Sequence, residues 1–195
     1  MKDRLLKEAS VVQDLKSQEG VMSRFYDLFE SGVIEGDILE IGCFLGKTTV
    51  FLTRMCEELY PDRKVFSIDP HTDDSLQEIT APNKQQGTVH QHFINHTKHL
   101  KNHKYYREYS FDVACKFEDK SLAFAFIDGL HSYEGVIKDY ELYIPKIKLG
   151  GIVVFDDYLT PKFGVGRAIK EVISKDDRLK LIKKNEKEIY FKVVK

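Results

Sequence analysis

The residues best placed to do chemistry are acids with one histidine among them. Asp128 follows the apolar run Leu122-Ala123-Phe124-Ala125-Phe126-Ile127, and Asp156-Asp157 follow Ile152-Val153-Val154-Phe155. Both runs are short enough to be buried strands. Three carboxylates facing one crevice repel each other unless a cation lies between them. Oxygen donors without cysteine suit Mg²⁺, which takes a few carboxylates and keeps positions for substrate or water. Taken singly, Asp156 or Asp157 reads as the start of a loop or the cap of a following helix; the three together favour a metal. His131 stands three residues after Asp128. It can take a proton from a substrate hydroxyl, or it can cap the next helix or touch a cofactor. Both uses are open.

Two further acids end apolar runs. Glu40 closes Ile38-Leu39 and is followed by Ile41-Gly42-Cys43-Phe44-Leu45-Gly46-Lys47-Thr48. This reads as strand, glycine turn, helix, with the helix pointing its N–H groups at whatever lies over the turn. The glycines let a ligand approach the backbone. A phosphate-binding P-loop needs four residues between its first Gly and Gly-Lys-Thr; Gly42 and Gly46 enclose three. The dinucleotide pattern G-x-G-x-x-G fails at Phe44. Asp69 ends Lys64-Val65-Phe66-Ser67-Ile68, 29 residues after Glu40. With Pro70 it either starts a turn or accepts the two hydroxyls of a ribose.

The elements that must hold these residues alternate. Val21, Met22, Phe25, Leu28 and Phe29 mark an amphipathic helix ended by Ser31-Gly32. Residues 1–18 read as a helix or an arm. His71 to Thr88 is polar, a loop with one short helix around Leu76. His92, His96, His99 and His103 fall on one helical face, read as solvated. Tyr105 to Tyr109 is a strand, and Ser110 caps the short helix after it. Val136 to Ile147 is a helix ended by Leu149-Gly150-Gly151. Ala168, Ile169, Val172 and Ile173 line the inner face of another. Residues 179–182 and 189–193 alternate around Asn185-Glu186 as an antiparallel hairpin. The pattern predicts a Rossmann-like, doubly wound α/β fold. Its sheet is seven-stranded and mostly parallel, with an antiparallel C-terminal hairpin. Glu40, Asp69, Ser110, Asp128 and Asp156 then share the carboxyl edge, where such sheets bind ligands.

Glu-x-Gly-x-x-x-Gly-x-Thr, from Glu40 to Thr48, resembles motif I of class I S-adenosylmethionine (SAM)-dependent methyltransferases. An acid can meet the ligand's ammonium, and Thr48 its carboxylate. Phe126-Ile127-Asp128-Gly129-Leu130-His131-Ser132-Tyr133, with Asp139 and Gly150 to Asp157, looks like the Asp-Gly-x-His-x-Tyr group of that class. This group includes Mg-dependent O-methyltransferases of macrolide sugars and is similar in layout to catechol O-methyltransferase. The resemblance runs from about Gly32 to Val172. It implies a cofactor-binding set of Glu40, Gly42, Cys43, Phe44, Gly46, Lys47, Thr48, Asp69, Pro70, Ser110, Phe111, Asp128 and Gly129. Asp69 would hold the ribose, and Ser110 with Phe111 would lie near the adenine. Asp128, Asp156 and Asp157 would ligate Mg²⁺. His131 takes the position of the catechol enzyme's catalytic lysine. Leu130 stands where such motifs are usually polar, and the N-terminal cover is short.

The expected activity is O-methylation of a small-molecule or sugar hydroxyl. Three alternatives remain: a fold that binds SAM without transfer, a metal-independent N- or C-methyltransferase, and a nucleotide hydrolase. At 195 residues one domain is expected, a helical segment 1–31 leading into a methyltransferase domain 32–195. The balance of 30 basic and 31 acidic residues calls for neither nucleic acid nor a membrane surface. Cys43, Cys56 and Cys115, odd in number and unpatterned, suit a reducing cytoplasm. The helix over 19–31 can serve as a cover or as a homodimer contact.

Overall fold

The computed structural model describes residues 1–12, 18–72 and 88–195. The helix expected around Leu76 lies outside the described residues. Two helices come first, α1 (Lys2–Ser10) and α2 (Glu19–Glu30). Then follow β1 (Asp37–Ile41), α3 (Lys47–Leu59), β2 (Val65–Ile68), α4 (Val89–Thr97), β3 (His103–Tyr106) and α5 (Ser110–Val113). The second half runs β4 (Leu122–Ile127), α6 (Tyr133–Tyr143), β5 (Ile147–Phe155), α7 (Val165–Glu171), β6 (Leu179–Lys184) and β7 (Ile189–Val193). The described strands form one seven-stranded sheet in the order β3-β2-β1-β4-β5-β7-β6. β1 to β5 are parallel; β7 runs antiparallel to β5, and β6 to β7. The strand order reverses between β1 and β4, which opens a crevice at their carboxyl ends.

β4 is buried at every position, as a central parallel strand must be when helices cover both faces. Its side chains divide between two cores. Leu122, Ala125 and Ile127 join Val136, Tyr140 and Ile169 under α6 and α7. Phe124 and Phe126 face α2, where Phe25 meets both rings edge-on at 5.1 and 5.0 Å. Leu5 and Ala9 of α1 belong to this second core. The apolar stripe of α2 (Val21, Met22, Phe25, Tyr26, Phe29) is therefore buried against the sheet. No described helix is long and apolar enough to cross a membrane.

Four local expectations are corrected. The histidine stripe breaks, because α4 stops at Thr97 and the chain turns at Leu100; His103 pairs with Val65 as the first residue of β3. β3 consequently ends at Tyr106 rather than Tyr109. Ser110 does not cap α5; its hydroxyl donates to Asp139, buried on α6. Gly150-Gly151 do not end a helix either. α6 gives way to a short 3-10 turn, Ile144–Lys146, and the glycines lie inside β5. A Cβ on Gly151 would press on the Ala123 carbonyl across the β4–β5 register shift, which is where a strand accepts glycine.

His103 generates a prediction. Burial pushes its imidazole down to about 4, and its Nε2 has no hydrogen-bond partner among the described residues. The folded state therefore binds this proton less readily than the unfolded chain. The stability contribution is complete above pH 6.5 and is lost as the pH falls toward 4. Relative to His103→Phe, the wild type should lose about 2–3 kcal/mol between pH 7 and pH 4.5. Urea unfolding of both proteins at the two pH values checks this; a difference independent of pH would contradict it.

Candidate active site

A cavity of about 360 Å³ opens at the crevice between β1 and β4. Its floor is the turn after β1. Gly42 and Gly46 have φ of 86° and 88°, in the left-handed region that favours glycine. Packing also demands them. A Cβ on Gly42 would collide with the backbone carbonyl of Asp128, and one on Gly46 would touch Phe93 and Thr97 of α4. Both glycines thus serve close approach within the protein, and Gly42 also lines the cavity.

Asp69 holds this turn. Its Oδ2 accepts the backbone N–H groups of Cys43 and Phe44 at 2.8 and 3.0 Å. Its Oδ1 accepts the N–H of His71 at 2.8 Å. The His71 ring, almost fully buried, has Nε2 at 2.8 Å from the Phe44 carbonyl oxygen and Nδ1 at 2.5 Å from the Tyr105 hydroxyl. Phe44 and His71 both adopt positive φ, a strained state that surrounding bonds must hold. Glu40 is 1% exposed. The hydroxyls of Thr49 and Ser67 donate to its carboxyl group. Burial nevertheless pushes it up to about 8. A ligand ammonium over the turn would favour its ionised form.

At the other wall, the ends of β4 and β5 bring the acids together. His131 Nε2 lies 3.3 Å from Asp128 Oδ1 and 3.4 Å from Asp157 Oδ2. The ring stacks on Phe163, with centroids 4.2 Å apart. The hydrogen bond to Asp128 pushes His131 up, against the effect of its burial. Asp128, His131 and Asp157 each offer a donor atom within 4.8 Å of the others'. Asp156 stands apart from this group. It is 2% exposed, its Oδ2 pairs with Lys187 Nζ at 3.0 Å, and its Oδ1 has no described partner. Burial pushes Asp156 up to about 7. The helix-cap roles considered for these residues belong elsewhere: Ser132 caps α6 by accepting the Gly135 N–H, and Asp157 accepts from the Thr160 hydroxyl.

Of the residues expected at the cofactor, Glu40, Gly42, Cys43, Phe44, Thr48, Asp69, Pro70, Ser110, Asp128 and Gly129 line the cavity. Gly46, Lys47 and Phe111 do not. Lys47 is buried in the first turn of α3 and does not reach the cavity. Phe111 stacks on Tyr109, and Tyr109 is the ring that meets the cavity. The Cys43 thiol is raised well above its ordinary value by burial, which leaves it unreactive. Gln18, Tyr109 and Lys187 line the cavity although no sequence motif marks them.

A family model described as a methyltransferase domain matches residues 39–158. The chain belongs to this methyltransferase family. Its domain is that of SAM-dependent methyltransferases. The chain is 32% identical over 96 residues to "Uncharacterized protein R132" of Acanthamoeba polyphaga mimivirus; the match takes in 49% of the chain and 41% of that protein. The chain therefore spans less than half the length of this curated relative. The fold is similar to that of the SAH-bound Podospora anserina methyltransferase PaMTH1. That comparison has a TM-score of 0.68 at 11% identity and covers 100% of this chain and 88% of that one. It is also similar to CalS11, a TDP-rhamnose 3′-O-methyltransferase of calicheamicin biosynthesis. There the TM-score is 0.63 at 18% identity, with 98% and 92% covered.

The Asp69 clamp is testable. Asp69→Ala removes the acceptor of three backbone N–H groups. Equilibrium dialysis with labelled SAM should show at least about tenfold weaker binding than wild type, since charge-assisted bonds of this kind contribute about 1.5–3 kcal/mol each. Unchanged affinity would mean the turn keeps its shape without them.

Proposed function

We propose that the protein is a SAM-dependent O-methyltransferase, assisted by a divalent cation, that acts on a hydroxyl of a small molecule or sugar. One observation carries this reading. Asp128, His131 and Asp157 converge on the same cavity whose floor is the Glu40–Thr48 turn. A methyl donor on the turn and an acceptor hydroxyl at the acids would then share one enclosure.

SAM, a substrate of the reaction, supplies the methyl as a sulfonium. The carboxylates of Asp128 and Asp157 would hold a hard divalent cation, which would acidify a hydroxyl bound to it. The chain's own residues do the rest. The clamped turn fixes one reactant, and the cavity walls fix the other at reacting distance, so orientation supplies much of the acceleration. His131 takes the hydroxyl proton at Nε2. Asp128 and Asp157, 3.3 and 3.4 Å away, stabilise the resulting imidazolium. Phe163 holds the ring in plane. The deprotonated oxygen forms its bond to the methyl carbon as the carbon–sulfur bond breaks and the thioether leaves. Leu130, 49% exposed and lining the cavity, gives the acceptor an apolar surface. The similarity to CalS11, which is described as acting on a TDP-sugar, supports a glycosyl hydroxyl among the acceptors to try. Nucleic acid and membrane have no place in this reading, and a homodimer through α2 would have to use its solvent face.

One observation favours a second reading, transfer without a metal. The Lys187 ammonium already pairs with Asp156, and His131 Nε2 lies within hydrogen-bonding reach of Asp128 and Asp157.

The test is transfer of labelled methyl from SAM to a panel of hydroxylated sugars and phenols, with Mg²⁺ and with EDTA. Turnover should need Mg²⁺. His131→Ala should lower kcat by about 10²–10⁴-fold while SAM affinity stays within about threefold. Turnover that survives EDTA would transfer the case to the metal-free reading, and transfer to nitrogen or carbon acceptors alone would refute O-methylation.

A further inference from the structure

Lys187 lies in the turn between β6 and β7, far in sequence from every motif, yet it forms part of the cavity wall. A dense set of bonds aims it there. The side-chain oxygen of Asn185 accepts the N–H groups of Lys187 and Glu188 at 2.8 and 3.0 Å. The Lys187 carbonyl accepts the N–H of Tyr158, one residue beyond Asp157. Glu188, fully buried, receives Nε and Nη2 of Arg24 at 2.8 and 2.6 Å, a two-pronged pair that ties the hairpin to α2. The lysine ammonium then donates to Gln18 Oε1 at 3.0 Å and pairs with Asp156 Oδ2 at 3.0 Å. Asp156 is almost wholly buried, and its second oxygen has no partner among the described residues. An unsatisfied buried carboxylate oxygen beside two other carboxylates is costly.

We propose that Lys187 is the resident cation of the acidic site: it holds Asp156 out of the divalent-ion ligand set and thereby weakens the site's grip on the ion. The proposal rests on the reading that this cluster takes a divalent cation. Three carboxylates, one ammonium and one divalent ion sum to zero. Without the ammonium the ion meets one uncompensated negative charge and a third, newly released carboxylate. Lys187 is thus a positioning residue for Asp156, and it sets how tightly the site holds the ion.

The full-length protein, saturated with S-adenosylhomocysteine, is titrated with Mn²⁺, and free Mn²⁺ is read from its electron paramagnetic resonance signal. Lys187→Met should bind Mn²⁺ at least about tenfold more tightly than wild type. Lys187→Arg, which keeps the charge, should match wild type within about threefold. The double variant Lys187→Met with Asp156→Asn should lose the gain. Should Lys187→Met fail to melt cooperatively, Lys187→Gln carries the same comparison. Equal Mn²⁺ affinity in wild type and Lys187→Met, or a gain that persists without the Asp156 carboxylate, would overturn the proposal. S-adenosylhomocysteine binding keeps the two readings apart. If it persists while no variant binds Mn²⁺, the proposal and the metal-assisted step fail and the cofactor reading stands. If it is absent from every variant, the cofactor reading has failed by itself.

Discussion

The contact of β1 with β4 at Gly42 is the constraint on which the rest of the site depends. The Asp128 N–H donates to the Ile41 carbonyl at 2.8 Å, and no side chain fits between Gly42 and the Asp128 backbone. The glycine turn and the first acid of the cluster are therefore one rigid unit. A donor bound on the turn has a fixed distance to whatever is bound at Asp128. The strand order creates this meeting, because the chain runs outward from β1 in both directions and leaves the crevice between the two central strands. The Asp69 clamp completes the unit from the β2 side.

Charge is the second constraint. Asp128, Asp156 and Asp157 stand at the ends of two neighbouring strands, and burial disfavours the ionised forms of Asp128 and Asp156. The protein answers with two nitrogen groups from different directions. His131 comes from the segment after β4, and Lys187 from the hairpin that closes the sheet. The hairpin is thus more than an edge. Through Arg24 and Glu188 it also fastens α2 beside the site.

Much of this was legible in the sequence, for physical reasons. A six-residue run such as Leu122 to Ile127, apolar throughout, is a central strand in almost any context, and parallel strands put the acids that follow them on one edge. Glu40, Asp69, Asp128, Asp156 and Asp157 were found that way, and all line the cavity. What periodicity could not see were changes of element without a breaker. The histidine spacing continues past Thr97 although the helix does not, and Gly150-Gly151 carry the same signature whether they end a helix or ease a strand past its neighbour. Gln18 and Lys187 were illegible because only tertiary packing brings residues 169 positions apart to one ammonium–amide contact. His71 carries no local signal, because its neighbours read as loop. Its role depends on a carbonyl 27 residues earlier and a hydroxyl 34 residues later.

In the proposed function the clamped turn and the cavity above it bind the methyl donor. Calorimetric titration of the purified protein with S-adenosylhomocysteine, with ATP as the control, tests it most directly. The expected result is one site of micromolar affinity for the thioether and no heat from ATP. Binding of ATP alone, or of neither ligand, would contradict it and leave the Glu40–Thr48 turn without its assigned ligand.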